Sequence, residues 1–286
     1  MFKHKVIDKR LPMPANQILS RYCVTQHVQQ VNPNDSVPTR VLFGHGFGCD
    51  QLIWTPLLAE LPSSIAPVTF DFCGCGRSDF SYYDAETYSS FTGYVNDLIA
   101  VIEALECGPI HYVGHSVGGM IGMLASIKRP DLFRQIIAIG PSPRYLDTDN
   151  YQGGFKLDEI NELLSLMERN HFEWAGYLAP IVMKNSHRPE LSEQLRQSFA
   201  NADPAISRRF AELVFLSDNR SLLPQITVPV SILYCDVDVI VPTAVIDYMA
   251  ARIPHCDTAK IGCSGHYPHV SSPQLVRDKI IECLLR

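Results

Sequence analysis

The stretch Ile110–Ala125 reads IHYVGHSVGGMIGMLA: an apolar run, a serine in the pattern Gly-x-Ser-x-Gly, and a second apolar run. A serine hydroxyl is a poor nucleophile until an imidazole takes its proton. A strand that ends in such a serine and turns at once into a helix holds it on a strained elbow. Gly114 and Gly118 are then steric requirements, since a side chain at either would strike the neighbouring strand or helix. The competing reading is a serine that caps an ordinary strand-to-helix loop.

Ser116 as nucleophile calls for a base and an orienting acid. Of ten histidines, His266 in IGCSGHYPH follows an apolar run ending near Ile261, in the chain order serine, acid, histidine. His269 reads as a loop or capping residue and His111 as structural. His115, beside the serine, reads as pointing the other way along the turn to line a pocket wall. Two aspartates, Asp236 and Asp238, follow the apolar run SILYC, and the residues alone leave the choice between them open. The glycines of FGHGFGCD, Gly44, Gly46 and Gly48, let backbone amides approach a reacting carbonyl oxygen. The expected oxyanion donors are the backbone N–H groups of Phe47 and Val117. A phosphate loop is the rival reading, but no Lys-Ser/Thr follows and the chain is acidic. DFCGCGRSD reads as a tight turn, because the third glycine of a dinucleotide fingerprint is missing.

Positioning these groups requires strands that all point one way. The runs RVLFG, APVTFDF, IHYVG and RQIIAIG alternate with helical patterns, which predicts right-handed crossovers and a mainly parallel sheet with the chemistry at its carboxyl edge. DQLIWTPLLAEL is expected to form a helix with Leu52, Ile53, Leu57 and Leu58 on one face. From about Ser142 to Pro224 no strand pattern occurs. Four helical patterns do, with Pro189 and Pro204 between them. The βα rhythm then resumes with PVSILYC, TAVIDYMAARI, DTAKIG and SPQLVRDKIIECLLR. The expected organisation is an N-terminal arm over residues 1–17, a core over 18–141 and 225–286, and a helical lid over 142–224 that excludes water from the site.

With 286 residues and 46% hydrophobic content, the chain can bury a sizeable core. A net charge of −6 and the lack of a Lys/Arg cluster argue against nucleic-acid binding. The N-terminus has no apolar segment of the secretory kind, and no 18-residue apolar run spans a membrane. Nine scattered cysteines fit a reducing compartment, so a cytoplasmic location is expected, with the nucleus added in a eukaryote. The one close pair, Cys73 and Cys75, lacks metal or redox spacing, and neither a metal nor an organic cofactor is expected.

GHGFGCDQLIW, DFCGCGRSD, GHSVGGMIGMLASIKRPDLF, PSPRYL, YQGGF, SDNR, TVPVSILYCDVDVIVP and GHYPHVSSP occur in order from about Ile18 to the C-terminus. Together they resemble the α/β-hydrolases that include the bacterial stress regulator RsbQ and the plant strigolactone and karrikin receptors. The resemblance implies an α/β-hydrolase fold with a four-helix lid. It also implies a triad of Ser116, Asp238 and His266, Asp238 being preferred because it stands four residues before Pro242. A deep apolar pocket lined by Phe47, His115, Tyr145, Phe155, Trp174 and Phe215 is implied as well. Two positions depart from the pattern: Leu178 replaces an aromatic in WAGYLAP, and Ile240 is bulkier than the residue commonly found there. Both reshape the pocket. The implied ligand is a small apolar ester, lactone or butenolide, and a protein signalling partner would meet the lid. The first 17 residues have no counterpart in the core fold, and the VNPNDSVPT turn is longer than usual.

Overall fold

The computed structural model describes residues 13–26 and 38–286. Helix α1 (Ala15–Arg21) leads to a two-residue strand β1 (Thr25–Gln26), and strand β2 (Thr39–Gly44) begins the alternation. It continues through α2 (Thr55–Leu58), β3 (Ile65–Thr69), α3 (Phe91–Ala104), β4 (Ile110–His115), α4 (Val117–Lys128) and β5 (Phe133–Ile139). Four helices follow without a strand: α5 (Leu157–Arg169), α6 (His171–Met183), α7 (Pro189–Asn201) and α8 (Pro204–Leu216). Then come β6 (Val230–Val237), α9 (Thr243–Ala250), β7 (Cys256–Ser264), α10 (Pro268–Ser271) and α11 (Pro273–Leu284).

The strands form one sheet in the order β1-β3-β2-β4-β5-β6-β7, parallel throughout except for the edge pair β1 and β3. The chain leaves β2 toward β3 and then returns to place β4 on the other side of β2. Connections depart in opposite directions from that pair, which opens a crevice at their carboxyl ends. Phe47 lies just beyond β2 and Ser116 just beyond β4, one on each side of the crevice.

Both faces of the sheet are covered, so its strands are apolar on alternate and intervening positions alike. Val41, Phe43, Val113 and Ile137 pack on one face against Trp54, Leu57 and Val276. Leu42, Tyr112, Ile136 and Ala138 face the other, in a larger cluster that also takes in Trp174, Leu178 and Phe210 of the four inserted helices. Pro189 and Pro204 each open a helix at its first position, where no amide partner is lost.

One expectation needs correction. The single helix read in DQLIWTPLLAEL is a 3₁₀ turn, Gln51–Trp54, followed by the four-residue α2. The change of winding rotates the buried face to Trp54 and Leu57, leaving Leu52 60% exposed. Strand β1 has no alternating pattern and is too short to read from sequence. The arm expected over 1–17 runs into α1, whose Ile18 and Leu19 pack against the core. Residues 1–12, and the 31–37 part of the VNPNDSVPT turn, lie outside the described residues. No helix among the described residues is long and apolar enough to cross a membrane.

Candidate active site

Ser116 adopts φ 52° and ψ −122° between β4 and α4, a conformation that costs a non-glycine residue about 1–3 kcal/mol. The surroundings hold it there. Its amide donates to the Ile139 carbonyl at 2.8 Å, and its carbonyl accepts from Met120 at 3.2 Å in the first turn of α4. A Cβ at Gly114 would lie 2.5 Å from the Gly119 backbone, and one at Gly118 would lie 2.4 Å from the His45 carbonyl oxygen. Both glycines are therefore needed for the helix to start so close to the sheet. The serine does not act as a helix cap, since its side chain makes no capping bond.

The Ser116 hydroxyl lies 2.9 Å from His266 Nε2, and His266 Nδ1 lies 2.7 Å from Asp238 Oδ2. All three groups are nearly dry: Ser116 is 5% exposed, and the His266 and Asp238 side chains are 4% and 6% exposed. An ionised carboxylate accepts, so Nδ1 carries the proton and Nε2 is free to receive one from the serine. The other Asp238 oxygen accepts the amides of Ile240 and Val241 at 2.8 and 3.2 Å, which holds the carboxylate in place independently of the histidine. Gly140, at φ 57°, leaves room for the pair: a Cβ there would meet His266 Cε1 at 3.3 Å and Asp238 Oδ2 at 3.4 Å. Asp236 is not part of this line. It pairs with Lys260 Nζ at 2.7 Å on the open side of the strand.

The loop after β2 is held by its own polar groups. His45 donates from Nδ1 to the Gly46 carbonyl at 2.9 Å and accepts the Phe72 amide on Nε2 at 3.1 Å. Asp71, in the DFCGCGRSD turn, accepts from the Gln51 and Arg77 amides at 2.8 and 2.9 Å. That turn thus braces the loop carrying Phe47, and Gly48 takes φ 73° at its crest.

His115 is placed differently from expectation. It is fully buried behind the loop rather than on the cavity wall, and its Nε2 donates to the His266 carbonyl at 2.8 Å. Its ring packs against His269, Tyr267 and His266 at centroid distances of 4.4, 4.7 and 4.9 Å. A Cβ at Gly46 would lie 2.4 Å from His115 Nδ1, so the glycine makes room for the imidazole. Burial, then the neighbouring His269 and His266, hold the His115 pKa well below the usual histidine range. His269 is neither a loop nor a capping residue. It is buried between Trp54 and His115, and burial pushes its pKa down to about 3.

Over Ser116 lies an apolar cavity of about 30 Å³, room for one or two waters. Of the expected lining residues, Phe47, Tyr145, Leu178, Phe215 and Ile240 face it, and Tyr145 Oη comes within 3.5 Å of Ser116 Oγ. Phe155 lines instead an outer cleft of about 720 Å³ between α5 and α6, with Leu163, Leu166 and Tyr177. Leu178, Phe215 and Ile240 line both spaces and so form the partition between them. Trp174 stands a layer back, stacked on Phe199 at 5.1 Å and edge-on to Phe47 at 5.9 Å. Val182, Phe199, Val214 and Tyr267 complete the cavity and went unread in the sequence. The helical periodicity that buries Val182, Phe199 and Val214 does not say whether they face core or ligand. Among the described residues no cluster of metal-ligating side chains occurs.

A strained, buried serine turn at the switch point of a mainly parallel sheet, with helices inserted over it, is the architecture of an α/β hydrolase. A model of the alpha/beta hydrolase family matches residues 41–279, and the chain belongs to that family. It is 36% identical over 247 residues to the karrikin insensitive 2 receptor CA of Petunia hybrida, covering 86% of this chain and 90% of that one. The strigolactone esterase D14 of Arabidopsis thaliana is 35% identical over 82% of this chain and 88% of its own. Among solved structures, a hydrolase from Oleispira antarctica superposes with a TM-score of 0.90 at 34% identity, covering 96% of this chain and 99% of that one.

Proposed function

We propose that this chain is a serine hydrolase that cleaves a small apolar ester or lactone, butenolide-like in shape, through Ser116, His266 and Asp238. The observation that carries the reading is the unbroken, nearly dry hydrogen-bond line from Ser116 Oγ through the His266 ring to Asp238. In this reading the serine passes its proton to Nε2 as Oγ attacks the carbonyl carbon. The imidazolium is stabilised by Asp238, and the tetrahedral oxygen rests on the amides of Phe47 and Val117. The imidazolium then protonates the departing alkoxide. A water activated by the same ring releases the acid and restores the serine. The apolar walls of the cavity favour compact apolar groups over peptides or long polar chains.

The test is acylation itself. A fluorophosphonate probe should label Ser116 in the wild type and leave Ser116→Ala unlabelled, with loss of turnover on a small aryl ester or butenolide. Labelling or turnover retained in that variant overturns the assignment.

A receptor role is the second reading, in which slow or single hydrolysis accompanies signalling through a protein partner. It is supported by the relative named as a karrikin insensitive 2 receptor and by three apolar side chains exposed on α6, Phe172, Tyr177 and Ile181. A ligand that recruits a partner must favour one arrangement of the lid over another. Hydrogen exchange over residues 155–217 of Ser116→Ala, with an uncleaved butenolide bound, separates the two. Altered protection with turnover slower than about one per minute supports the receptor, and many turnovers per second with unchanged exchange support a plain esterase.

A further inference from the structure

Strands β6 and β7 supply the acid and the base, and each carries a cysteine three residues before it: Cys235 before Asp238 and Cys263 before His266. The two strands stay in register as far as Cys235 opposite Ile261, then slip, so that Val237 pairs with Ser264. Across that irregularity the two sulfurs face each other at 3.5 Å. Both thiols are free, Cys235 buried and Cys263 partly exposed.

A disulfide requires sulfurs about 2.05 Å apart, so this pair must close by roughly 1.5 Å. A slipped strand pair has the local freedom to do so, unlike a regular ladder. The unequal exposure also assigns the roles, because the accessible thiol meets an oxidant first and the buried one resolves it. The Cys235 hydrogen bond lowers the pKa of Cys263, and the same contact raises that of Cys235, which fits that division.

We propose that Cys235 and Cys263 are an oxidative modification site that forms a reversible disulfide with low-molecular-weight disulfides as oxidant, and that closing it displaces Asp238 relative to His266. The Cys263 thiolate attacks one sulfur of the small disulfide, whose S–S bond breaks and releases one thiolate, leaving a mixed disulfide on Cys263. Cys235, giving up its proton, attacks the Cys263 sulfur and expels the second thiolate. Two protein thiols are oxidised by two electrons, one small disulfide is reduced to two thiols, and the two protein protons end on those thiols. Between the sulfurs and the acid-base pair lies the Gly265 amide to Val237 carbonyl bond of 2.8 Å, the link that a shift of the strands would move. Formation of the bond does not depend on the hydrolase reading; its effect on rate does.

The experiment uses the reduced full-length chain, incubated with glutathione disulfide, capped with N-ethylmaleimide and cut with trypsin. Peptides 221–252 and 261–277 contain one cysteine each, Cys235 and Cys263. They should appear joined, two hydrogens lighter than their sum, and separate after dithiothreitol. The joined species should be absent from Cys263→Ser and from Cys235→Ala. Hydrolysis of p-nitrophenyl acetate should fall at least threefold on oxidation of the wild type, recover with dithiothreitol, and not respond to the oxidant in Cys263→Ser. Recovery of both peptides capped or glutathionylated without a link overturns the site. A link that leaves the rate unchanged overturns the coupling to the acid-base pair. If the reduced protein proves inactive on every ester, the mass measurement still decides whether the site exists.

Discussion

Asp236 and Asp238 stand two residues apart and serve different partners: Asp238 Oδ2 meets His266 Nδ1 at 2.7 Å inside the fold, while Asp236 pairs with Lys260 at the surface. The pairing of β6 with β7 slips between Cys235 and Val237, on either side of Asp236. Exposure follows the same split, with side chains 6% and 41% accessible. A surface pair such as Asp236 with Lys260 is worth little, about 0–1 kcal/mol.

Asp238→Asn should therefore lower kcat on a small aryl ester by about 10⁴-fold, because the amide reverses the favoured imidazole tautomer. Asp236→Asn should change it less than about twofold. Steady-state kinetics of the two variants side by side measure this, and equal losses would remove Asp238 from the assigned role.

The His115 bond to the His266 carbonyl predicts a positioning effect. His115→Leu leaves that buried oxygen without its donor, at a cost of about 1–3 kcal/mol. His266 should then be less well held, with kcat lowered roughly tenfold and KM little changed. His115→Gln, which keeps an N–H near the same place, should recover most of the loss. Equal defects in both variants would mean that His115 fills space and does not position the base.

The extent to which all this was legible differs by residue. Ser116, Gly114, Gly118 and His266 could be read because their constraint is local: a strand, a turn and a helix meet within a few residues, and chain order supplies the histidine. The alternation of strands and helices was readable for the same reason, and the four inserted helices stood out where it stopped. The pair Asp236 and Asp238 was not separable from the residues alone, because both stand at the carboxyl end of β6 and only their partners from distant positions, Lys260 and His266, tell them apart. His115 and His269 were misread since nothing local marks a buried imidazole. Their partners, the His266 carbonyl and Trp54, come from distant segments. Phe155 and Trp174 carry the apolar pattern expected of lining residues, and only packing shows that one faces the outer cleft and the other a layer behind Phe47.

His269 links acid to stability. It is buried and its pKa is pushed down to about 3 against 6.5 for an ordinary histidine, with burial the main cause. Between those values the unfolded chain holds a proton that the folded one does not, so stability is full above about pH 6.5 and falls as the pH drops toward 3. From pH 6.5 to pH 5 this group alone should cost about 2 kcal/mol. Denaturant unfolding of the wild type and His269→Phe at pH 7 and pH 5 checks it: the variant should lose less stability on acidification by about that amount. A difference between the two proteins that does not change with pH would show that His269 is not the group titrating.

The partition of Leu178, Phe215 and Ile240 predicts how the chain selects its substrate. The cavity at Ser116 measures about 30 Å³, while the outer cleft offers about 720 Å³ on the far side of the same three side chains. Leu178 is the one to remove, because Phe215 also packs on Phe47 and Tyr145 at 5.9 and 5.1 Å, and Ile240 is anchored by its amide to Asp238. Leu178→Ala should join the two spaces at a stability cost of about 2 kcal/mol, the low end for a buried leucine because its neighbours are already open on one side. The ratio of kcat/KM for p-nitrophenyl butyrate to that for the acetate should rise at least tenfold, since the longer acyl chain now reaches through the opened partition. Leu178→Phe should move the ratio the other way by filling what remains of the gap. A ratio unchanged in both variants would place selection elsewhere, for instance at Tyr145.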